Sequence, residues 1–342
     1  MSPHHPPSTS HQHRRRNRVG IFTPASPIGM VELEMGVAVM RDAGFEVAVH
    51  DQASAQHFIF AGTDAQRVGA LWDLATDDAI EVVWCARGGY GCTHLLPLLD
   101  RLTAEHGPPA KKLLVGYSDV TVLHHYVRAR WGWDTLHANM PASASFVAMD
   151  ESQRDATFAL VKDGKPTESG RVFGGATLDF FANAPAGPIE GEVLGGNLAT
   201  WNYLTGTPWA PTPEEIAGRF LFFEDLGEGF YKMDAYLTQL DQAGGLDGIA
   251  GLILGGFHDC TDEQATRLAS PPTDAQADPP MVPLRPTYDE RESMSRITAP
   301  LAAKHGFPVA WKLPVSHGPD YGPLMLGAKH ELTPEGWFVL GG

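Results

Sequence analysis

A serine and an aspartate occupy a corner of the chain where a hydroxyl can act as a nucleophile. The stretch KKLLVGYSDVTVLHHY, residues 111–126, runs from an apolar segment through a glycine into a helical pattern, with Ser118 and Asp119 at the turn. A sharp strand-to-helix turn of this kind exposes a serine hydroxyl and directs backbone N–H groups toward a developing oxyanion. The corner also suits a helix N-cap, with Asp119 assisting at the positive end of the helix dipole. Because G-Y-S-D lacks the full G-x-S-x-G pattern, these residues alone favour the cap.

A second glycine-rich loop follows another predicted strand. ARGGYG, residues 86–91, comes directly after the apolar run EVVWC. Glycine at such a position lets backbone N–H groups approach a ligand closely or adopt a positive φ. Ordinary turn glycines are the simpler interpretation of either loop taken alone.

Both loops belong to a repeating pattern of strands and helices. Between residue 19 and about residue 145, short apolar runs such as EVVWC and KKLLV alternate with segments that carry apolar residues at helical spacing. Continuous apolar strands separated by helices predict a parallel sheet covered on both faces, a doubly wound α/β domain. In such a sheet, sites form beyond the carboxyl ends of the strands, which is where both loops fall.

The second half of the chain has a different sequence pattern. Residues 151–170 predict a connecting helix and linker, and residues 171–342 mix glycine-rich turns and short strands with one clear helix near Met233–Gln242. This mixture indicates an α+β domain, so we expect a tail at 1–18, a first domain at 19–150 and a second at 171–342. Within the second, residues 258–292 are rich in Pro-Pro pairs and poor in apolar periodicity, which predicts a mobile, lid-like loop.

The bulk charge argues against several classes of partner. The 342 residues include 25 Lys+Arg and 41 Asp+Glu, a formal net charge of −16. Four arginines lie among the first 18 residues, which contain no acid, so the remainder carries −16 − 4 = −20. A body this negative repels phosphate backbones and anionic lipid, so we expect neither a nucleic acid nor a membrane as partner.

Signals of cellular compartment favour the cytoplasm. The sequence has no apolar run typical of a secretory signal or a membrane span. Its three cysteines, Cys85, Cys92 and Cys260, are odd in number and lack C-x-x-C spacing, which is typical of structural thiols in a reducing compartment. The N-terminus, rich in His, Pro, Ser and Arg, predicts a disordered tail rather than a metal site.

The two loops occur together with further blocks, and the whole set resembles the LD-carboxypeptidase family of serine peptidases. The blocks are ARGGYG followed by LLPLLD, GYSDVTVLHHY, LGGNLATW, LFFEDLGEGFYKMDAYLTQL and LPVSHGPDYGPLMLGAKHEL. They occur in the family's order and span nearly everything from residue 19 onward, so together they are far more specific than any one of them.

The resemblance implies a catalytic triad and an oxyanion hole. Ser118 would be the nucleophile, Glu224 in FFEDLGE the acid and His317 in VSHG the base, while the backbone N–H groups of Gly89 and Asp119 would hold the oxyanion. It also implies a Rossmann-like N-terminal domain, a smaller C-terminal domain and no metal or organic cofactor. The implied protein is a cytoplasmic homodimer that removes the terminal D-alanine from murein tetrapeptides during cell-wall recycling.

The chemistry of the three side chains fits these implied roles. A serine hydroxyl needs a base to take its proton, and histidine, with a pKa near 6.5, can accept and return a proton at neutral pH. A carboxylate would hold the imidazole in the correct tautomer. Without the resemblance, Glu224 is read more simply as a charge at a strand end and His317 as a loop histidine. Asp225 and Glu228 are rivals for the acid.

Recognition of a terminal carboxylate requires a positive or N–H-rich position beyond the oxyanion hole. Arg87 and the helix start after Ser118 are the candidates, with Gly88 and Tyr117 as neighbouring substrate-binding positions. A pairing of Arg87 with Asp119 is an equal alternative.

Two other functions remain open from the sequence. A microcin-immunity-type hydrolase, which cleaves an aminoacyl-nucleotide analogue, falls within the same resemblance. Such enzymes commonly place an aromatic residue on a cleft loop to stack the base, and the loop after Cys260 offers Tyr288 but no Trp. A catalytically silent peptide-binding protein would need no triad, yet all three triad positions hold competent residues.

Overall fold

Two β-sheets with helices packed on them form the framework of the protein in this computed structural model. The structure describes residues 16–164, 178–262, 266–268, 281–283, 288–318 and 322–339. Within these residues, the first sheet has six strands, the second has seven, and a small hairpin adds two more.

The first sheet is built from the N-terminal half of the chain. Its parallel strands are β1 (Arg18–Phe22), β2 (Glu46–Val49), β3 (Val82–Cys85), β4 (Leu113–Gly116) and β5 (Asp134–His137). The helices are α1 (Met30–Asp42), α2 (Asp64–Thr76), α3 (Leu96–His106), α4 (Thr121–Trp131), α5 (Ala144–Val147) and α6 (Glu151–Asp163). The strand order is β2-β1-β3-β4-β5, and each neighbouring pair is parallel. Apolar residues of α2, α3 and α4 cover one face and those of α1 and α6 the other, which confirms the predicted doubly wound fold.

Local sequence explains where α2 begins. At the start of α2, the Thr63 hydroxyl accepts a hydrogen bond from Gln66 N–H, and the Gln66 side chain accepts one from Thr63 N–H at 2.9 Å. This reciprocal capping box satisfies two donors that the first turn would otherwise leave unpaired. Val68, Leu71 and Leu74 then fall on one side of the helix and are buried against the sheet. The helix is therefore oriented by its cap and by its apolar face.

The second sheet is mixed. Its strands are β6 (Asp179–Ala182), β7 (Ile189–Asn197), β8 (Phe220–Leu226), β9 (Gly251–His258), β12 (Val309–Trp311), β14 (Lys329–Thr333) and β15 (Gly336–Val339). The central strands β7, β8, β9 and β12 run parallel, and the outer strands pair antiparallel. Its helices are α7 (Leu198–Asn202), α8 (Pro213–Ile216), α9 (Phe230–Gln242) and α10 (Glu290–His305). The carboxyl ends of β7, β8 and β9 thus form a second edge at which polar groups meet.

The sequence predicted α9 but did not predict α10. This 16-residue helix contains Pro300, and the residues that it buries are Ser293, Met294, Thr298 and Ala302. Because Ser293 and Thr298 are polar and the side chain of Ala302 is only a methyl group, the helix lacks the apolar stripe by which an amphipathic helix is recognised.

The long segment at 258–292 is described only in parts. Strands β10 (Thr266–Leu268) and β11 (Met281–Pro283) pair antiparallel within it, and α10 begins before it ends. Residues 263–265, 269–280 and 284–287 of this segment, and residues 1–15 of the tail expected at 1–18, lie outside the described residues. Their expected mobility and disorder therefore remain predictions.

The chain returns to the first sheet near its end. Strand β13 (Leu324–Leu326) pairs antiparallel with β5, and the Arg128 guanidinium of α4 donates to the Leu326 carbonyl at 3.2 Å. The apolar residues Leu324 and Leu326 also pack against the second sheet. Residues 171–342 therefore contribute one strand to the first sheet, which fixes the two sheets relative to each other. None of the helices in the described ranges is both long enough and apolar enough to cross a membrane.

Two glycines inside helices give opposite expectations for stability. A Cβ on Gly36 of α1 would lie 2.7 Å from the carbonyl carbon of Pro141, whereas a Cβ on Gly69 of α2 would have no atom within 4 Å. We expect Gly36→Ala to destabilise the protein by about 1–3 kcal/mol through this clash. The matched control Gly69→Ala should stabilise it by about 0.5–1 kcal/mol, since alanine is the better helix former. Denaturant unfolding measures both, and equal stability of the two variants would contradict the close approach of α1 to Pro141.

Candidate active site

The corner after β4 holds Ser118 in an unusual backbone conformation. Ser118 has φ +62°, and residues 118–120 form a single 3₁₀ turn before α4 begins. A non-glycine residue in the left-handed region costs roughly 1–2 kcal/mol, and such strain concentrates at functional sites. The side chain is half-buried at the carboxyl edge of the first sheet.

The expected helix cap is not formed. Neither the 3₁₀ turn nor α4 has a side-chain cap. The Asp119 carboxylate instead accepts a hydrogen bond from Cys92 N–H at 2.8 Å. The capping prediction was therefore wrong, because the Asp119 side chain is directed at the neighbouring glycine-rich loop and not at its own helix.

That loop lies directly against Ser118. A Cβ on Gly88 would be 3.0 Å from the Ser118 Cβ and 3.2 Å from its Oγ, so only glycine lets the two segments approach this closely. Ser26 N–H donates to the Gly88 carbonyl at 3.3 Å, and the Ser26 hydroxyl accepts from Tyr90 N–H at 3.3 Å. Gly89 has φ +115°, which also favours glycine. Within the described part of the chain, Gly89 N–H has no acceptor and is available to a ligand.

The second half of the site is a buried histidine–glutamate pair. His317 Nδ1 lies 2.6 Å from Glu224 Oε2, and the Glu224 side chain is completely buried at the carboxyl end of β8. The centre of the His317 ring is 4.6 Å from that of Tyr117. The imidazole therefore contacts Glu224 on one side and lies beside Tyr117, the residue that precedes Ser118, on the other.

Opposing effects act on the pKa of His317. Burial alone would lower it, but the negative charge of Glu224 and the hydrogen bond to it outweigh burial, so the pKa of His317 lies above its usual value. The pair therefore adds stability that is present below the unfolded-state pKa of about 6.5 and is lost as the pH rises through the folded-state value.

The two rival acids have other partners. The Asp225 carboxylate accepts from Asn197 Nδ2 and from Ala199 N–H, each at 2.9 Å, while Glu228 pairs with Lys232 at 2.6 Å. Burial and the adjacent Glu224 raise the pKa of Asp225 to about 6. Of the three acids, Glu224 is the one that contacts the imidazole.

Further polar residues support the site although the sequence analysis gave them no role. Asn197 ends β7, and its N–H donates to the Thr121 hydroxyl at the start of α4 at 3.0 Å. His258 ends β9, and its Nε2 is 2.9 Å from the Ser316 hydroxyl, which also accepts from Gly318 N–H in the turn that carries His317. The positions of Asn197 and His258 could have identified them from the sequence, since both are polar residues at the carboxyl ends of parallel strands.

The predicted substrate contacts have differing environments. The Arg87 side chain is exposed and has no hydrogen-bond or ion-pair partner among the described residues. Its alternative pairing with Asp119 is not found. Tyr117 is 8% exposed, and its ring packs between the rings of His317 and His137. In the described ranges, no group of three or more His, Cys, Asp or Glu side chains is arranged to hold a metal ion.

Comparison with known families identifies this architecture. Residues 19–138 match the model of the LD-carboxypeptidase N-terminal domain, and residues 190–332 match that of the LD-carboxypeptidase C-terminal domain. The chain belongs to the LD-carboxypeptidase family. The two matches contain Ser118, Glu224 and His317, and they cover most of both sheets, with β6 and β15 outside them.

Individual members of the LD-carboxypeptidase family are similar along most of the chain. The "Probable murein peptide carboxypeptidase" of Bacillus subtilis is 30% identical over 71% of this chain and 72% of its own. The crystal structure of muramoyltetrapeptide carboxypeptidase from Oxalobacter formigenes superposes with a TM-score of 0.68 at 26% identity, covering 94% of this chain and 96% of that one. The Microcin C7 self-immunity protein MccF of Escherichia coli is 23% identical over 84% of this chain and 89% of its own.

The pair of Glu224 and His317 can be tested without an activity assay. Glu224→Gln removes the charge and retains an oxygen acceptor, so burial should then dominate and the pKa of His317 should fall. An NMR titration of the His317 ring measures this shift. Glu228→Gln is the matched control, because it removes a nearby carboxylate that pairs with Lys232, and it should leave the titration unchanged. Identical titration curves for wild type and Glu224→Gln would contradict the pairing.

Proposed function

We propose that the protein is a serine-type LD-carboxypeptidase that removes the C-terminal D-alanine from murein tetrapeptides. Ser118 is the nucleophile, His317 the general base and acid, and Glu224 the carboxylate that orients His317. The observation that carries this proposal is the buried Glu224–His317 pair, at 2.6 Å, beside a serine with φ +62°. The names of the relatives from Bacillus and Oxalobacter support the substrate class.

The tautomer of His317 follows from its hydrogen bond. With Nδ1 directed at Glu224, Nδ1 carries the proton in the neutral ring and Nε2 is the free base. Nε2 takes the proton of Ser118 as Oγ attacks the carbonyl carbon of the scissile bond. Glu224 stabilises the imidazolium that forms, which then donates its proton to the leaving nitrogen of D-alanine.

The remaining acyl-enzyme is an ester of Ser118. Water attacks its carbonyl carbon while Nε2 takes a proton from that water. The proton then returns to Oγ as the shortened peptide leaves with a free carboxylate. Both tetrahedral intermediates place a negative oxygen near the glycine-rich loop, where we assign the N–H groups of Gly89 and Asp119 as donors.

Selection of a C-terminal residue requires a partner for the D-alanine carboxylate. Arg87 is exposed in the same loop as Gly88 and Gly89, and it is the cation that we assign to this role. A bidentate guanidinium–carboxylate contact would discriminate against peptides with a blocked C-terminus. Gly88 and Tyr117 would form the adjoining wall.

The setting of the reaction is also part of the proposal. We infer a cytoplasmic homodimer that acts in cell-wall recycling. The murein peptide named for the Bacillus relative supports the cell-wall substrate. Light scattering of the purified protein tests the dimer.

Replacing the nucleophile tests the mechanism. We expect Ser118→Ala to lower the rate of D-alanine release from a murein tetrapeptide by roughly 10⁴-fold or more, since no other group can form the acyl-enzyme. Ser54→Ala, at an exposed serine in the turn after β2, is the control and should retain full activity. Unchanged release by Ser118→Ala would refute the mechanism.

A substrate panel tests the specificity. Tetrapeptide, pentapeptide and aminoacyl-nucleotide analogues should be compared at equal concentration, and we expect the tetrapeptide to have the highest kcat/KM. Preference for the aminoacyl-nucleotide would instead assign the activity suggested by the microcin relative. Binding of the tetrapeptide without turnover would identify a silent binding protein.

A further inference from the structure

The peptide unit that closes the glycine-rich loop is held by two buried side chains of opposite charge. The Gly91 carbonyl accepts a hydrogen bond from Arg67 Nη1 at 3.0 Å, and the adjoining Cys92 N–H donates to Asp119 Oδ2 at 2.8 Å. Arg67 is 0% exposed and Asp119 is 1% exposed. Both polar groups of one peptide bond are therefore fixed by charge-assisted hydrogen bonds in a site that water does not reach.

Arg67 is itself rigidly placed. The same Nη1 donates to the Pro24 carbonyl at 2.6 Å, Nη2 bonds to the Asp64 carboxylate, and the guanidinium lies 4.7 Å from the centre of the Phe60 ring. Gly91 has φ +125°, and a Cβ there would lie 2.8 Å from Nη1. The guanidinium can approach the loop this closely only because the loop has glycine at that position.

The carboxyl group of Asp119 is also buried and held by specific contacts. Burial raises the pKa of its carboxyl group, and the Cys92 N–H and the charge of Arg67 act in the opposite direction. A carboxylate removed from water requires such compensation, because breaking a buried pair leaves an uncompensated charge and is strongly destabilising. The structure thus buries a carboxyl group in the core, and that group contacts the loop.

The geometry relates these contacts to the reaction. Gly89, two residues before Gly91, carries one proposed oxyanion donor, and the backbone N–H of Asp119 is the other. Two donors on separate segments can act on one oxygen only if each is held within about 0.5 Å of its productive position. The side chain of Asp119 connects its own backbone to the loop that carries the first donor.

We propose that Arg67 and Asp119 are positioning residues that set the separation of the two oxyanion donors by clamping the Gly91–Cys92 peptide. Neither side chain touches the substrate. This inference rests on the proposed function, because it assigns a role within that reaction.

Variants at Asp119 separate positioning from general stability. Asp119→Leu removes the acceptor, and we expect kcat for the tetrapeptide to fall by about 10²–10³-fold, the loss typical of one oxyanion donor, with KM changed less than about threefold. Asp119→Asn retains an oxygen acceptor for Cys92 N–H but loses the charge, so its kcat should lie between those of Asp119→Leu and wild type. Arg67→Lys cannot reproduce the geometry of the guanidinium and should also lower kcat at constant KM.

The second readout is affinity for a transition-state analogue. In a tetrapeptide analogue whose scissile carbonyl is a trifluoromethyl ketone, Ser118 Oγ adds to the carbonyl carbon and a hemiketal oxyanion forms. The inhibition constant of this analogue should therefore rise across the variants in proportion to the loss of kcat/KM. A merely structural role would lower thermal stability without this proportionality. Asp100→Asn is the matched control, since Asp100 accepts hydrogen bonds from Trp209 and Tyr126 away from the loop, and its kcat should equal that of wild type.

The possible outcomes are distinguishable. If Asp119→Leu does not fold, Asp119→Asn and Arg67→Lys decide the question, and wild-type kcat in both overturns the clamp. A fall in kcat with no change in the inhibition constant overturns it as well. If wild type releases no D-alanine, or Ser118→Ala releases it normally, the proposed function fails instead.

Discussion

A fully buried carboxylate determines how the active site is assembled. Glu224 has no access to water, and its Oε1 has no partner in the described part of the protein, so the hydrogen bond from His317 provides the main compensation for its charge. The turn that carries His317 is consequently fixed against the end of β8. Gly255 of β9 makes this possible, because a Cβ there would lie 3.1 Å from the Glu224 Cβ and would collide with the Val315 carbonyl.

The proposed nucleophile, Ser118, belongs to the other sheet, and a buried polar chain connects the two. Asp225, next to Glu224, bonds to Asn197, whose backbone N–H donates to Thr121 three residues after Ser118. Strand β13 adds a second connection at the edge of the first sheet. His317 and Ser118 are therefore related through short hydrogen-bonded paths between the two sheets.

The parts of this structure that the sequence predicted are those with a local signal. The strands of the first sheet are buried on both faces, so they appear as continuous apolar runs, and the helices between them have apolar faces. Helix α10 lacked such a face. The pairing of β13 with β5 has no local signal at all, because an edge strand's partner is set by the tertiary fold.

At the site, spacing could not distinguish Glu224 from Asp225, since adjacent residues of a strand point to opposite faces and only the packing decides which one meets His317. Ser118 and Asp119 were correctly located, but the direction of the Asp119 side chain depends on a loop more than 25 residues away, which a capping rule cannot anticipate.

The left-handed backbone of Ser118 implies a trade-off between folding and chemistry. Glycine would adopt the same φ without strain, and the serine costs the fold on the order of 1 kcal/mol relative to it. The protein thus retains a residue that its own backbone disfavours. If the hydroxyl of Ser118 were not needed for the proposed reaction, glycine at this corner would relieve the strain and make the fold more stable.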